Sequence, residues 1–155
     1  MDDLEFARVA LKKGYRRLVV QRGNGDYEPH NLQGPVAANG LSVEFFDYAP
    51  SLRKYMESAS LIISHAGSGS IFESLSLSKP LIVVPNSLLM DNHQEELGQH
   101  LESLGHLACS SPKDLIDTLS LLDTSRLVPY VKERKGNGRT AASAIVAEID
   151  RVVFA

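Results

Sequence analysis

Two short runs, residues 61–64 (LIIS) and 81–84 (LIVV), are apolar nearly throughout, with no polar residue at alternate positions. A strand without alternation must be covered on both faces, as in a parallel sheet held between two helical layers. Residues 65–80 (HAGSGSIFESLSLSKP) supply what a crossover between such strands needs: a glycine-rich turn, a helical stretch and a Lys-Pro stop. Strand, turn, helix and strand in that order make a βαβ unit, and the rest of the chain must be read around it.

The flanking segments repeat the alternation. Residues 2–13 read as a helix with Leu4, Ala7 and Leu11 on one face and Gly14 as its stop. Strands are predicted at 17–21 (RLVVQ) and 42–46 (SVEFF), separated by a loop rich in Gly, Pro and Asn. Residues 50–58 form a short helix around Leu52, Tyr55 and Met56, and a helix starts near Ser68 and ends before Lys79. A helix over 92–104 carries Leu97, Leu101 and Leu104 as its apolar stripe, with Gly105 as its cap. A short strand at 106–109, a helix at 112–122, a basic connector at 132–139 (KERKGNGR) and a C-terminal helix at 140–154 complete the chain. The class is α/β: a Rossmann-like, mainly parallel sheet flanked by helices, in one domain over 1–155.

Bulk properties narrow the function. A chain of 155 residues with net charge −3 has one core and no electrostatic footprint for nucleic acid. Its single cysteine, Cys109, excludes an internal disulfide and suits a reducing compartment. No apolar run reaches the ~20 residues of a membrane span. The start, MDDLEFARVALKKG, is too charged for a secretory signal. The expectation is a cytosolic domain that reaches a membrane only through a partner.

The turn at 65–70 lies at the carboxyl end of its strand, where open α/β sheets bind ligands. Gly67 and Gly69 allow close backbone approach, and free N–H groups at a helix start favour an anion. Ser68, Ser70 and the His65 ring can add donors. Glu73, one turn further on, suits a bidentate hydrogen bond to ribose hydroxyls. The two glycines alone are better explained as a tight turn with a capping serine. The dinucleotide fingerprint fails, because Phe72 stands at its third glycine, and no Gly-Lys-Ser/Thr of a P-loop follows.

A second polar cluster follows the next strand. Asp91, Asn92, His93 and Gln94 stand just past residues 81–84. Alone, Asp91-Asn92 reads as an N-cap. Two successive βα turns on one sheet edge can instead face one ligand. One would hold a diphosphate and ribose, and the other would offer amides and a carboxylate to sugar hydroxyls: a nucleotide-sugar site. His30, His100 and His106 are scattered, have no metal-ligand spacing and read as solvated.

The stretch ISHAGSGSIFESLSLSKPLIVVPNSLLMDNHQEELGQHLESLGH resembles the catalytic subunits of the eukaryotic two-subunit UDP-GlcNAc transferases of dolichol-linked oligosaccharide synthesis. Those subunits are similar to the C-terminal, donor-binding half of GT-B glycosyltransferases. A weaker match runs back through GYRRLVVQRGNG and FFDYAPSLRKYMESA. The resemblance implies that Gly67, Ser68, Gly69 and Ser70 face the diphosphate of UDP-GlcNAc, with His65 near it. It implies that Glu73 binds the ribose and that Asn92, His93 and Gln94 face the GlcNAc ring beside Asp91. It names no catalytic base; His65, Asp91 and His93 are the candidates. It implies β1,4 transfer to a lipid-pyrophosphate-linked GlcNAc with inversion, without a metal or other cofactor. It also implies docking on a membrane-anchored subunit, which supplies the acceptor side at the cytosolic face of the endoplasmic reticulum. The segment 140–155, with Ile145, Ile149, Val152 and Val153, is the candidate docking helix. A non-catalytic short form that binds the partner subunit, or a transferase for another lipid-linked glycan, would share these motifs.

The resemblance fails at the start. Members open with a strand and a Gly-Thr-Thr turn, whereas this chain opens at MDDLEF. A start codon assigned too far downstream, or an artificial chain boundary, explains this better than a short natural form. Without that strand, its neighbours in the sheet are expected to lack partners and the core to have a gap.

Overall fold

The computed structural model describes residues 3–23, 40–65, 67–85, 92–131 and 151–154. Helix α1 (Asp3–Lys12) ends at Gly14, whose φ of +94° is the left-handed stop expected of that glycine. Strands β1 (Arg17–Gln21) and β2 (Ser42–Phe46) have the predicted bounds, and so does β3 (Leu61–Ser64). The remaining elements are α2 (Arg53–Ser58), α3 (Ser68–Ser76), β4 (Leu81–Val83), α4 (Asn92–Ser103), β5 (Ala108–Cys109), α5 (Leu115–Leu121) and β6 (Arg151–Phe154).

The six strands form one sheet in the order β2-β1-β6-β3-β4-β5. All described neighbours are parallel except β6, which runs antiparallel to both β1 and β3. Every residue of β3 and β4 is buried, as their unbroken apolar runs require. Alternate residues serve opposite layers. Leu61, Ile63 and Ile82 pack with Phe6, Ala7 and Ala10 of α1 and Leu115 and Leu119 of α5. Ile62, Leu81 and Val83 pack with Met56 of α2, Ile71 and Leu75 of α3 and Leu101 of α4. The result is a three-layer α/β/α sandwich with α3 and α4 on the same face.

Three expectations are corrected. The buried face of α1 is Phe6, Ala7 and Ala10, while Leu4 is exposed, because the helix meets α5 along a stripe turned toward Phe6. Leu104 is half exposed, since α4 ends at Ser103 and Gly105 takes φ +78° just beyond it. The predicted C-terminal helix does not hold over 151–154, which are strand β6; residues 140–150 lie outside the described residues. Val152 and Val153 fit either element by apolar spacing, but β-branched residues favour an extended backbone. The sheet decides: β6 bonds β1 on one side (Val20↔Val152) and β3 on the other (Ile63↔Val152). The expected gap between these strands is therefore filled by the chain's own C-terminal segment, which satisfies backbone groups on both.

Two local features set the geometry of the site helix and its neighbour. Ser78 closes α3 with φ +55°, and Lys79 N–H reaches back to the Ser74 carbonyl at 3.1 Å. A non-glycine residue there is strained. Ser78→Gly is therefore expected to raise stability by about 0.5–1 kcal/mol; chemical denaturation showing no gain would contradict this. Gly98 lets α4 lie close to the sheet, since a Cβ there would stand 3.2 Å from Cys109 Sγ. Burial, reinforced by Glu102 and Glu95, pushes the Cys109 thiol up to about 12. That thiol is a packing group rather than a nucleophile.

Candidate functional site

Ser64 ends β3 fully inside the protein, with its hydroxyl donating to the His65 carbonyl at 2.9 Å. Gly67 N–H donates to the same carbonyl at 2.6 Å, which folds the chain sharply into the helix. Gly67 is the N-cap of α3, with an extended backbone and no side-chain capping bond. The first-turn N–H groups of Ser68, Gly69 and Ser70 therefore point out of the helix without intrahelical acceptors or a side-chain cap. They concentrate the positive end of the helix dipole at the carboxyl edge of the sheet.

The two faces of α3 are sharply divided. Ser70, Ile71, Ser74 and Leu75 are buried against the sheet. Ser68, Gly69 and Phe72 are exposed, and Glu73 is half-buried. Gly69 and Glu73 are four residues apart and so lie one above the other on the outward stripe. Side chains lean toward a helix's N-terminus, so a carboxylate at Glu73 is within reach of the Gly69 turn. Among the described residues, a Cβ on Gly69 would meet nothing within 4 Å. Protein packing therefore does not demand glycine here, although a group approaching the helix start from outside would.

The predicted site residues fall into two sets. His65, Gly67, Ser68, Gly69, Ser70 and Glu73 are brought together on the β3–α3 turn and the first two turns of α3. His65 is half-buried. Ser70 departs from the expectation that its hydroxyl is presented outward: it is fully buried, and among the described residues Oγ has no hydrogen-bond partner. Its outward contribution is the backbone N–H. The second set begins at α4, whose first residue is Asn92. His93 is 90% exposed at its side chain, with Nδ1 3.9 Å from Glu96 Oε2, and Gln94 is half-buried. Asp91 lies outside the described residues. Because β3 and β4 are parallel neighbours, their carboxyl ends are about 5 Å apart. Among the described residues, no cluster of His, Cys, Asp or Glu has the makings of a metal site.

One polar group in this layer escapes a reading of the sequence. Gln21, the last residue of β1, is 8% exposed, and its Oε1 is buried without a partner among the described residues. The only signal was a polar residue closing an apolar strand (RLVVQ), which usually marks solvent.

A βα turn of this kind, beside a second polar helix start, belongs to several nucleotide-binding families. The profile of the glycosyltransferase family 28 C-terminal domain matches residues 5–147. This chain belongs to that family. Within it, the chain is 38% identical to the UDP-N-acetylglucosamine transferase subunit ALG13 of Candida glabrata, across 83% of this chain and 81% of the relative. It is also 38% identical to the mouse protein of the same name, across 80% of this chain, but spans only 11% of that relative's length. The crystal structure of the glycotransferase of kitacinnamycin superposes with a TM-score of 0.51 over 82% of this chain and 34% of that one. At 23% identity the superposition establishes the fold alone. The family 28 domain thus places the β3–α3 turn in a glycosyltransferase fold. Among the described residues, no helix is long and apolar enough to cross a membrane.

Proposed function

We propose that this chain is the UDP-GlcNAc-binding, catalytic part of an inverting N-acetylglucosaminyltransferase that adds the second GlcNAc to dolichyl-pyrophosphate-GlcNAc in protein N-glycosylation. The observation that carries the reading is the start of α3: an uncapped helix N-terminus with open space at Gly69 and Glu73 one turn below. A diphosphate needs N–H donors and no intruding side chain. A ribose attached to it needs an acceptor for two hydroxyls a few ångströms away. The stripe offers both in the right order. The relatives' names, transferase subunits for UDP-N-acetylglucosamine, support the same donor.

In this reading the sugar extends from the diphosphate toward the start of α4, where Asn92, His93 and Gln94, with Asp91 before them, meet its hydroxyls. The acceptor's 4-hydroxyl attacks C1 from the opposite side as the C1–O bond to UDP breaks. The proton of that hydroxyl passes to a base, for which His65, Asp91 and His93 are the candidates. Charge accumulates on the departing diphosphate, and the α3 N–H groups with Ser68 are positioned to stabilise it as it forms. The word subunit in the relatives' names supports dependence on a second chain. We assign to that chain the lipid acceptor and the membrane anchor, at the cytosolic face of the endoplasmic reticulum.

Titration calorimetry of the chain with UDP and with UDP-GlcNAc tests the donor site. Saturable binding at one site per chain is expected for both. No heat with either ligand, on protein whose melting shows it folded, would overturn the reading.

A further inference from the structure

Gln21 closes β1 at the carboxyl edge of the sheet, and among the described residues its carboxamide oxygen is buried and unanswered. Buried polar atoms are almost always paired, so an orphan in a well-packed layer calls for an explanation. Strand alternation places Gln21 on the same sheet face as Val19, and Val19 packs with Ile62 of β3 and Ile71 and Leu75 of α3. The carboxamide therefore lies in the layer that α3 covers. Its row across the sheet is fixed by the register. Val20 pairs with Val152, and Ser64 pairs with Arg151, so Gln21 stands two strands from Ser64. At ordinary strand spacing that is about 10 Å from the residue that leads into the His65 turn. Ser70, in the first turn of α3, buries a second unpartnered oxygen in the same layer.

The strand order also gives a direction. With the diphosphate at the start of α3 and the sugar toward α4, the sugar lies on the β4 side of β3. The other end of the nucleotide then runs the opposite way, over β1. Resting on the donor-site reading above, we propose that Gln21 is a substrate-binding residue whose carboxamide oxygen accepts a hydrogen bond from a hydroxyl or N–H of the nucleoside half. The bond requires only rotation about the last torsion of the side chain, which is broad and soft in glutamine. It would give a donor to an atom that the described residues leave without one.

Gln21→Met tests this, because Met keeps the length and removes the amide. Removing an unpaired buried polar group costs the fold nothing, so the ligand-free full chain is expected to melt at the wild-type temperature or above. UDP affinity by calorimetry is expected to fall about tenfold, the loss of one good hydrogen bond. The affinity of inorganic pyrophosphate, which lacks the nucleoside, is expected to be unchanged. UDP binding to Gln21→Met at wild-type strength would overturn the inference and leave the donor site standing. A fall in melting temperature, with UDP and pyrophosphate weakened alike, would make Gln21 structural and overturn it too. Failure of the wild-type chain to bind UDP would overturn the donor-site reading itself, and this inference with it.

Discussion

Gly69→Val is expected to abolish measurable UDP binding, a loss of at least about a hundredfold, while leaving the protein folded. The argument rests on what surrounds the position. A Cβ at Gly69 meets no atom of the described residues within 4 Å, so the larger side chain has room there. The residue is exposed in the first turn of α3 with an ordinary helical backbone, and helix propensity does not favour Gly over Val. Stability should shift by no more than about 0.5 kcal/mol, or about 2 °C in melting temperature. The branched side chain would occupy the space through which phosphate oxygens must pass to reach the N–H groups of Ser68, Gly69 and Ser70. Gly69→Ala, with one methyl, should fall between the two. Calorimetry alongside thermal melting separates the outcomes. A folded Gly69→Val that binds UDP as tightly as wild type would reduce this turn to a plain helix start.

How far such a site can be read from sequence differs from one element to the next. β1, β2 and β3 have their predicted bounds because each is a compact β-branched or apolar run closed by turn residues, so local chemistry settles them. The β3–α3 turn is legible for the same reason: the order strand, Gly-x-Gly, helix is a local pattern. Where the outcome depends on a distant partner, the sequence is silent. Residues 151–154 carry apolar spacing that suits a helix or a strand, and only the unfilled edges of β1 and β3 make them β6. Leu4 fits its helical stripe yet is exposed, because the stripe of α1 that packs is set by α5, and Leu104 is half exposed because α4 ends one residue before it. Gln21 and Ser70 are the most instructive. A glutamine ending a strand and a serine starting a helix both look like surface residues. Their burial depends on tertiary packing, which no local pattern encodes.

Glu73→Ala is expected to weaken UDP by about 1.5–3 kcal/mol, roughly tenfold to a hundredfold, the range for hydrogen bonds to an ionised group. The helix makes this a test of position as well as of charge. Glu73 lies about 6 Å along the axis from Gly69 on the same stripe, and the N-terminal tilt of helical side chains puts that turn within its reach. A ribose joined to a phosphate at the helix start falls within its reach, whereas a free diphosphate does not. Pyrophosphate affinity should therefore be unchanged, or slightly improved by loss of the nearby negative charge. Glu73→Gln should retain part of the UDP affinity, since an amide oxygen still accepts one hydroxyl but cannot take two as a carboxylate does. This ordering, wild type above Gln above Ala for UDP and no loss for pyrophosphate, is specific to a ribose contact. If Glu73 acted only as a general charge on the helix, its removal would strengthen binding of both anions, because a carboxylate near a diphosphate repels it. Unchanged UDP affinity in Glu73→Ala would remove the ribose from this stripe. The start of α3 would then remain an anion site with no means of telling a nucleotide from a phosphate.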